Sequence, residues 1–218
     1  CDSVVDDGVT YFSAIGNSAA SSYESAFRAT SGSNFHDFDP GPGVDNFQSI
    51  TVNAGSNVYL TLQWDDPWGT LTPNSAQTDM DLFIYDMSGT TILLSSVRDN
   101  INLTLNPTEF ISGSASGSGT VTFNIAIVKY SGPAPAAMKW IINGASGLVI
   151  NEYAPSTVSG KATSNGHANS EGAIAVGACG WFNSPAYNVS PPVAESFTSF
   201  GGVQIRYDVN GNAIAPII

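Results

Sequence analysis

At 218 residues with 42% hydrophobic side chains, the chain can bury one large core or two smaller ones, which excludes a wholly disordered polymer. Charged residues are only 11%, against roughly 25% in an average globular protein, and Ser, Thr, Asn and Gly fill their place. Six basic residues against eighteen acidic ones leave a net charge of −12, so counterion-driven binding to nucleic acid is excluded and an anionic membrane surface is disfavoured.

A polar but weakly charged surface suits an extracellular, β-rich protein, secreted or held at a cell surface. No apolar run reaches the roughly 18–20 residues that cross a bilayer, so no membrane span is expected. Residues 1–7 have neither the basic start nor the apolar centre of an export signal, which is therefore expected outside this chain.

In chain order, residues 1–7 read as the last turn of a helix with Gly8 as its breaker. Residues 9–14 form a continuous apolar strand of the parallel, doubly buried kind, ending in the turn Ile15-Gly16-Asn17-Ser18. A short helix is expected around residues 23–27. From 35 to 154 the texture changes to short strands between Gly, Ser and Asn turns, at residues 47–52, 57–64, 80–86, 91–95, 120–128 and 138–142. Val58, Leu60, Leu62 and Trp64 alternate with Tyr59, Thr61 and Gln63, and Val121, Phe123, Ile125 and Ile127 repeat that period of two. Such alternation predicts an antiparallel sandwich.

After Pro155 come a loop at 164–169, a second buried strand over 172–179, and a hairpin pairing 203–208 with 213–214 through an Asn210-Gly211 turn. The expected fold is mainly β. A jelly-roll-like antiparallel β-sandwich, residues 35–154, is inserted between two strands of a partial α/β parallel sheet built from residues 1–34 and 155–218. Cys1 and Cys179 allow one disulfide without demanding it, and Cys179 in its apolar run reads as a buried small hydrophobe.

The run Gly8-Val9-Thr10-Tyr11-Phe12-Ser13-Ala14-Ile15-Gly16-Asn17-Ser18 resembles the segment of subtilisin-like (subtilase) serine peptidases that carries the oxyanion-hole asparagine, a strand followed by Ala-x-Gly-Asn. Downstream, Gly166-His167-Ala168-Asn169 and then Gly172-Ala173-Ile174-Ala175-Val176-Gly177-Ala178 look like the family's next strand, an apolar run ending in Val-Gly-Ala. Ser196-Phe197-Thr198-Ser199-Phe200-Gly201 resembles the Phe-Ser-x-x-Gly stretch that follows it. The three blocks keep the family's order and leave most of the chain uncovered.

The resemblance implies a subtilisin-like parallel sheet and an oxyanion role for Asn17. Attack on a peptide carbonyl turns its oxygen into an alkoxide. A neutral amide N–H aimed at that oxygen favours the transition state over the ground state, and in subtilisin itself losing this donor costs about 10²–10³ in rate. As a residue type, Asn also occupies left-handed turns without any catalytic role. His167 lies in a loop that the family keeps near its substrate-binding side, which makes it a substrate-pocket candidate, with turn geometry as the alternative.

The stretch Thr78-Asp79-Met80-Asp81-Leu82-Phe83 is similar to the Asp-x-Asp-Leu signature of bacterial pre-peptidase C-terminal β-sandwiches, and larger bacterial subtilases carry inserted sandwiches. Asp79 and Asp81 are then candidate calcium ligands, although they can equally hold turns by accepting backbone N–H bonds. No cofactor is otherwise required, and the implied partner is a protein or peptide substrate. The family's Asp and His precede the oxyanion segment and its nucleophilic Ser follows. No Gly-Thr-Ser block occurs here, so this polypeptide alone is expected to hydrolyse nothing.

Of the remaining candidates, His36 reads as a surface or packing residue, and Asp65 and Asp66 as further oxygen donors. Trp64 belongs to a core, and Trp68, after Pro67, is the tryptophan expected to be exposed. Asn102-Leu103-Thr104 matches a glycosylation sequon. Three functions compete: a piece of a secreted bacterial endopeptidase whose sandwich lies near the substrate cleft, a non-catalytic sandwich that binds carbohydrate or protein, and a spacer without a ligand.

Overall fold

The computed structural model describes residues 1–217. In chain order the elements are α1 (Asp2–Asp6), β1 (Tyr11–Ala14), β2 (Ser22–Ser25), β3 (Gln48–Asn53), β4 (Asn57–Trp64), β5 (Asp79–Tyr85), β6 (Ile92–Ser96), β7 (Thr108–Ser114), β8 (Thr120–Ser131), β9 (Met138–Asn143), β10 (Val149–Ile150), α2 (Val158–Lys161), β11 (Ala173–Val176), β12 (Ile205–Tyr207) and β13 (Ala213–Ile217). They form two compact units. The first holds Cys1–Ala20 and Ser156–Ile205, the second Ser21–Pro155 and Arg206–Ile217.

The second unit is an antiparallel sandwich. One sheet has the order β10-β3-β8-β5-β6 and the other β2-β9-β4-β7. From β2 to β9 the chain changes sheet at every step except the β5–β6 hairpin, which is jelly-roll order. The alternation expected over residues 58–64 is present: Val58, Leu60, Leu62 and Trp64 are buried between the sheets. Phe123, Ile125 and Ile127 of β8 face them from the opposite sheet with Ile50, Leu82 and Ile84. β8 is central, and Asn124 and Ala126 on its other face are buried too.

Gln48, Trp140 and His36 find polar partners inside this core, while Arg28 Nε is buried without one among the described residues. Trp140 Nε1–H donates to Gln48 Oε1 at 2.9 Å, joining the two sheets, while Gln48 Nε2 donates to the carbonyls of Glu152 and Tyr153. His36 is fully buried as a packing residue. Arg28 N–H donates to His36 Nδ1 at 3.1 Å, so the ring's proton sits on Nε2 and points to the Tyr23 hydroxyl 3.0 Å away. The ring lies edge-on to Phe38, centroids 4.7 Å apart.

Two elements differ from the sequence expectation. Residues 23–27 are not helical: Ser22–Ser25 is strand β2, with Tyr23 opposite Trp140 of β9 and their rings stacked. Serines favour a helix weakly, and an open strand edge beside a large apolar partner decides the outcome. The second unit accordingly begins at Ser21. Strand β7, which the pattern did not suggest, has Glu109 buried and Phe110 exposed, the reverse of the usual polarity.

The hairpin β12–β13 turns at Asn210-Gly211, with Gly211 at φ +75°. From Arg206 onward it belongs to the second unit. The Tyr207 hydroxyl donates to the Asp65 carbonyl, Asn74 Nδ2 donates to the Gly211 carbonyl at 3.0 Å, and Arg206 lies 3.9 Å from Asp65 Oδ2.

In the first unit β1 and β11 pair in parallel, Tyr11 opposite Ala173 and Ala14 opposite Val176. The pair is not buried on both faces as expected. Phe12 is 64% exposed, and Ile174 and Val176 are 48% exposed each, because among the described residues no layer packs over those side chains. Cys179 is likewise exposed and not a buried hydrophobe; its thiol and that of Cys1 are both free. Trp68 is half-buried, and the exposed tryptophan is Trp181, edge-on to Phe182 and Tyr187.

Leu62 sits at the centre of the sandwich opposite Trp140 and Glu109. Leu62→Ala should lower the sandwich's stability in urea by about 2–5 kcal/mol, read as a lower midpoint with an unchanged slope.

Candidate functional site

Both strands of the parallel pair leave the sheet at one end, and Asn17 stands there. After Ala14 the ladder continues for one more bond, Ile15 N–H to the Val176 carbonyl at 3.0 Å, and then Gly16 turns the chain at φ +108°. That positive φ is a position at which glycine has no steric cost. Asn17 follows, exposed, and its side-chain amide makes no hydrogen bond among the described residues.

A strap over residues 195–200 crosses the same end of the pair. Behind β11, Glu195 N–H and the Thr198 hydroxyl both donate to the Ala178 carbonyl, at 2.9 and 3.2 Å. Behind β1, Ser199 N–H donates to the Gly16 carbonyl at 2.9 Å, and Ser18 N–H donates to Ser199 Oγ at 3.0 Å. Ala19 N–H donates to the Phe197 carbonyl. The strap is fixed from below by Thr163, whose N–H donates to the Phe200 carbonyl and whose hydroxyl donates to the Ala19 carbonyl. Thr163, Ser164 and Ser199 are all buried. In parallel α/β sheets the carboxyl ends of the strands are where ligands bind, and this end presents an unpaired amide donor on a tightly bonded support.

His167 does not share that end. It sits in a one-turn 3-10 segment, Gly166–Asn169, ahead of β11, and its Nδ1 lies 2.9 Å from the Tyr11 hydroxyl at the start of β1. Asn17 lies six positions beyond Tyr11, on the order of 20 Å of extended chain. His167 thus stands at the amino end of the strand pair. A motif read along the sequence could not distinguish the ends, because an approach loop and an exit turn lie equally close to their strand.

In the sandwich Asp79 and Asp81 belong to a different kind of site. Asn100 N–H donates to Asp79 Oδ1 at 3.2 Å. Glu109, which sequence reasoning missed, is buried and accepts from Asn100 Nδ2 at 2.9 Å and from the Ser96 hydroxyl. Burial pushes the Asp81 carboxyl up to about 6, with the Asp79 and Glu109 carboxylates adding to the shift. Burial also raises Asp79 and Glu109. Among the described residues no three His, Cys, Asp or Glu side chains are grouped to hold a metal. Asp66 holds a turn: its Oδ2 accepts from Trp64 Nε1, Gln77 N and Thr78 N.

The titrations have opposite signs. Asp81 has a folded value near 6 against an ordinary 3.8, so the folded state holds the extra proton between them and loses stability as pH rises through that window. Asp81→Asn should therefore stabilise the sandwich by about 1–2 kcal/mol at pH 7.5, after allowance for its partial exposure, and by nothing at pH 3.5. Burial, reinforced by Arg28, lowers His36 from 6.5 to about 3. Here the unfolded state holds the extra proton, and stability falls as pH drops from about 6.5 toward 3. His36→Gln should flatten that limb of the stability–pH curve.

No protein-family model matches this chain, and no curated protein sequence matches it.

Proposed function

We propose that this chain is the central part of a subtilisin-like serine endopeptidase, with Asn17 as the side-chain donor to the oxyanion of the tetrahedral intermediate. One observation carries the reading: the three sequence blocks that resemble the family meet at one place. The strand before Asn17 pairs in parallel with Ala173–Val176, and the strap through Ser196–Gly201 closes over the ends of both. The Asn17 amide, exposed and without a partner among the described residues, is in the state an oxyanion donor requires before substrate arrives. In this reading the jelly roll is an insertion entering the sequence four residues after Asn17, and the enzyme is secreted and acts on protein substrates.

Chemically, this chain's contribution is electrostatic. As the carbonyl oxygen of the scissile peptide takes up negative charge, an amide N–H already aimed at it needs no reorganisation, and a neutral donor adds no charge that would hold the ground state equally well. The nucleophile and base come from the remainder of the polypeptide.

The complete polypeptide should react with a fluorophosphonate probe and hydrolyse casein. Asn17→Ala should lower kcat by about 10²–10³ with little change in KM, while probe labelling persists more slowly. A complete polypeptide that neither labels nor hydrolyses would defeat the peptidase reading and favour the non-catalytic sandwich.

A further inference from the structure

We infer that Ser199 is the positioning residue for Asn17: its hydroxyl and its backbone N–H grip the peptide units on either side of that asparagine and fix where the side-chain amide points. The role rests on the oxyanion reading above, but the clamp itself stands on geometry. With no side-chain hydrogen bond among the described residues, Asn17 is aimed through its backbone. The carbonyl of the residue before it, Gly16, accepts from Ser199 N–H at 2.9 Å. The N–H of the residue after it, Ser18, donates to Ser199 Oγ at 3.0 Å. One residue thus holds both flanking peptides.

The close approach explains Gly16 as well. A Cβ at position 16 would lie 2.9 Å from Ser199 Oγ and 3.5 Å from its Cβ, and φ +108° is strained for any other residue. Glycine is the residue that lets the hydroxyl reach past position 16 to Ser18. Ser199 is only 4% exposed, and its neighbour Phe200 is bonded through N–H and carbonyl to Thr163. The clamp is therefore anchored in a buried hydroxyl layer, away from solvent exchange. An oxyanion donor must be held to a fraction of an ångström to act, and this arrangement supplies that restraint without occupying the donor.

Backbone 15N relaxation and amide exchange on the 218-residue chain test the clamp. Ser199→Ala should lower the order parameters of Asn17 and Ser18 from rigid values of about 0.85 to below about 0.6. Ser18 exchange should accelerate about tenfold or more, with the amides of Phe12, Ser13 and Ile174 unchanged. Unaltered order at Asn17 and Ser18 overturns the inference. So does loosening that spreads equally along β1 and β11, the mark of a general structural role. In the complete enzyme the same substitution should lower kcat about tenfold or more at constant KM and add nothing in an Asn17→Ala background; full additivity also overturns it. The relaxation comparison needs no catalysis, so its outcome is separate from that of fluorophosphonate labelling, which judges the peptidase reading.

Discussion

The parallel ladder between Tyr11–Ala14 and Ala173–Val176 is the constraint on which the candidate site depends. Parallel strands share a direction, so their carboxyl ends lie together, and whatever follows each strand is delivered to one place. Here these are the Gly16-Asn17-Ser18 turn and the Gly177-Ala178 exit, which the strap over 195–200 joins. Closing a connection of this length costs little more than closing a shorter one, because loop entropy grows only with the logarithm of length. A complete folded unit can therefore occupy the interval between β1 and β11 without weakening their pairing.

The two units are held together internally by different means. The sandwich relies on a dry core, with Trp140, Leu60, Leu62, Ile125 and Ile127 almost wholly removed from water. Into that core it admits a few polar groups, each at a distinct cost. Gln48 and His36 are bonded and neutral. Asp81, half-buried on the side of β5 away from Met80 and Leu82, has acidic neighbours, and its ionisation lowers the sandwich's stability. The first unit has no comparable core. Its order near Asn17 comes from backbone and hydroxyl hydrogen bonds, while Phe12, Ile174 and Val176 face outward.

Alternation made the sandwich strands β3, β4, β5, β8 and β9 legible, because one face of each is buried and the period of two follows from the pleat. The same logic missed β7, where Glu109 points inward to Asn100 and Ser96 and Phe110 points out. It also missed β2, whose Ser-rich sequence carries no strand signal and pairs only because β9 offers an edge. The turn that presents Asn17 was legible through Gly16, whose positive φ suits glycine. Ser199 was not, since nothing in a Phe-Thr-Ser-Phe sequence says that one hydroxyl will lie under a turn almost two hundred residues earlier.

The sequence by itself determined the all-β character of the middle of the chain, the turn at Asn210-Gly211, and the presence of a small-residue turn ending in Asn17, because these follow from local periodicity and from glycine's backbone freedom. Only the tertiary structure decided which strand ends meet. It set Asn17 beside the strap at the carboxyl end, His167 beside Tyr11 at the other end, and Asp79 against the Asn100 backbone N–H. Those outcomes depend on strand direction and on contacts between residues far apart in the chain, and neither is written in any local pattern.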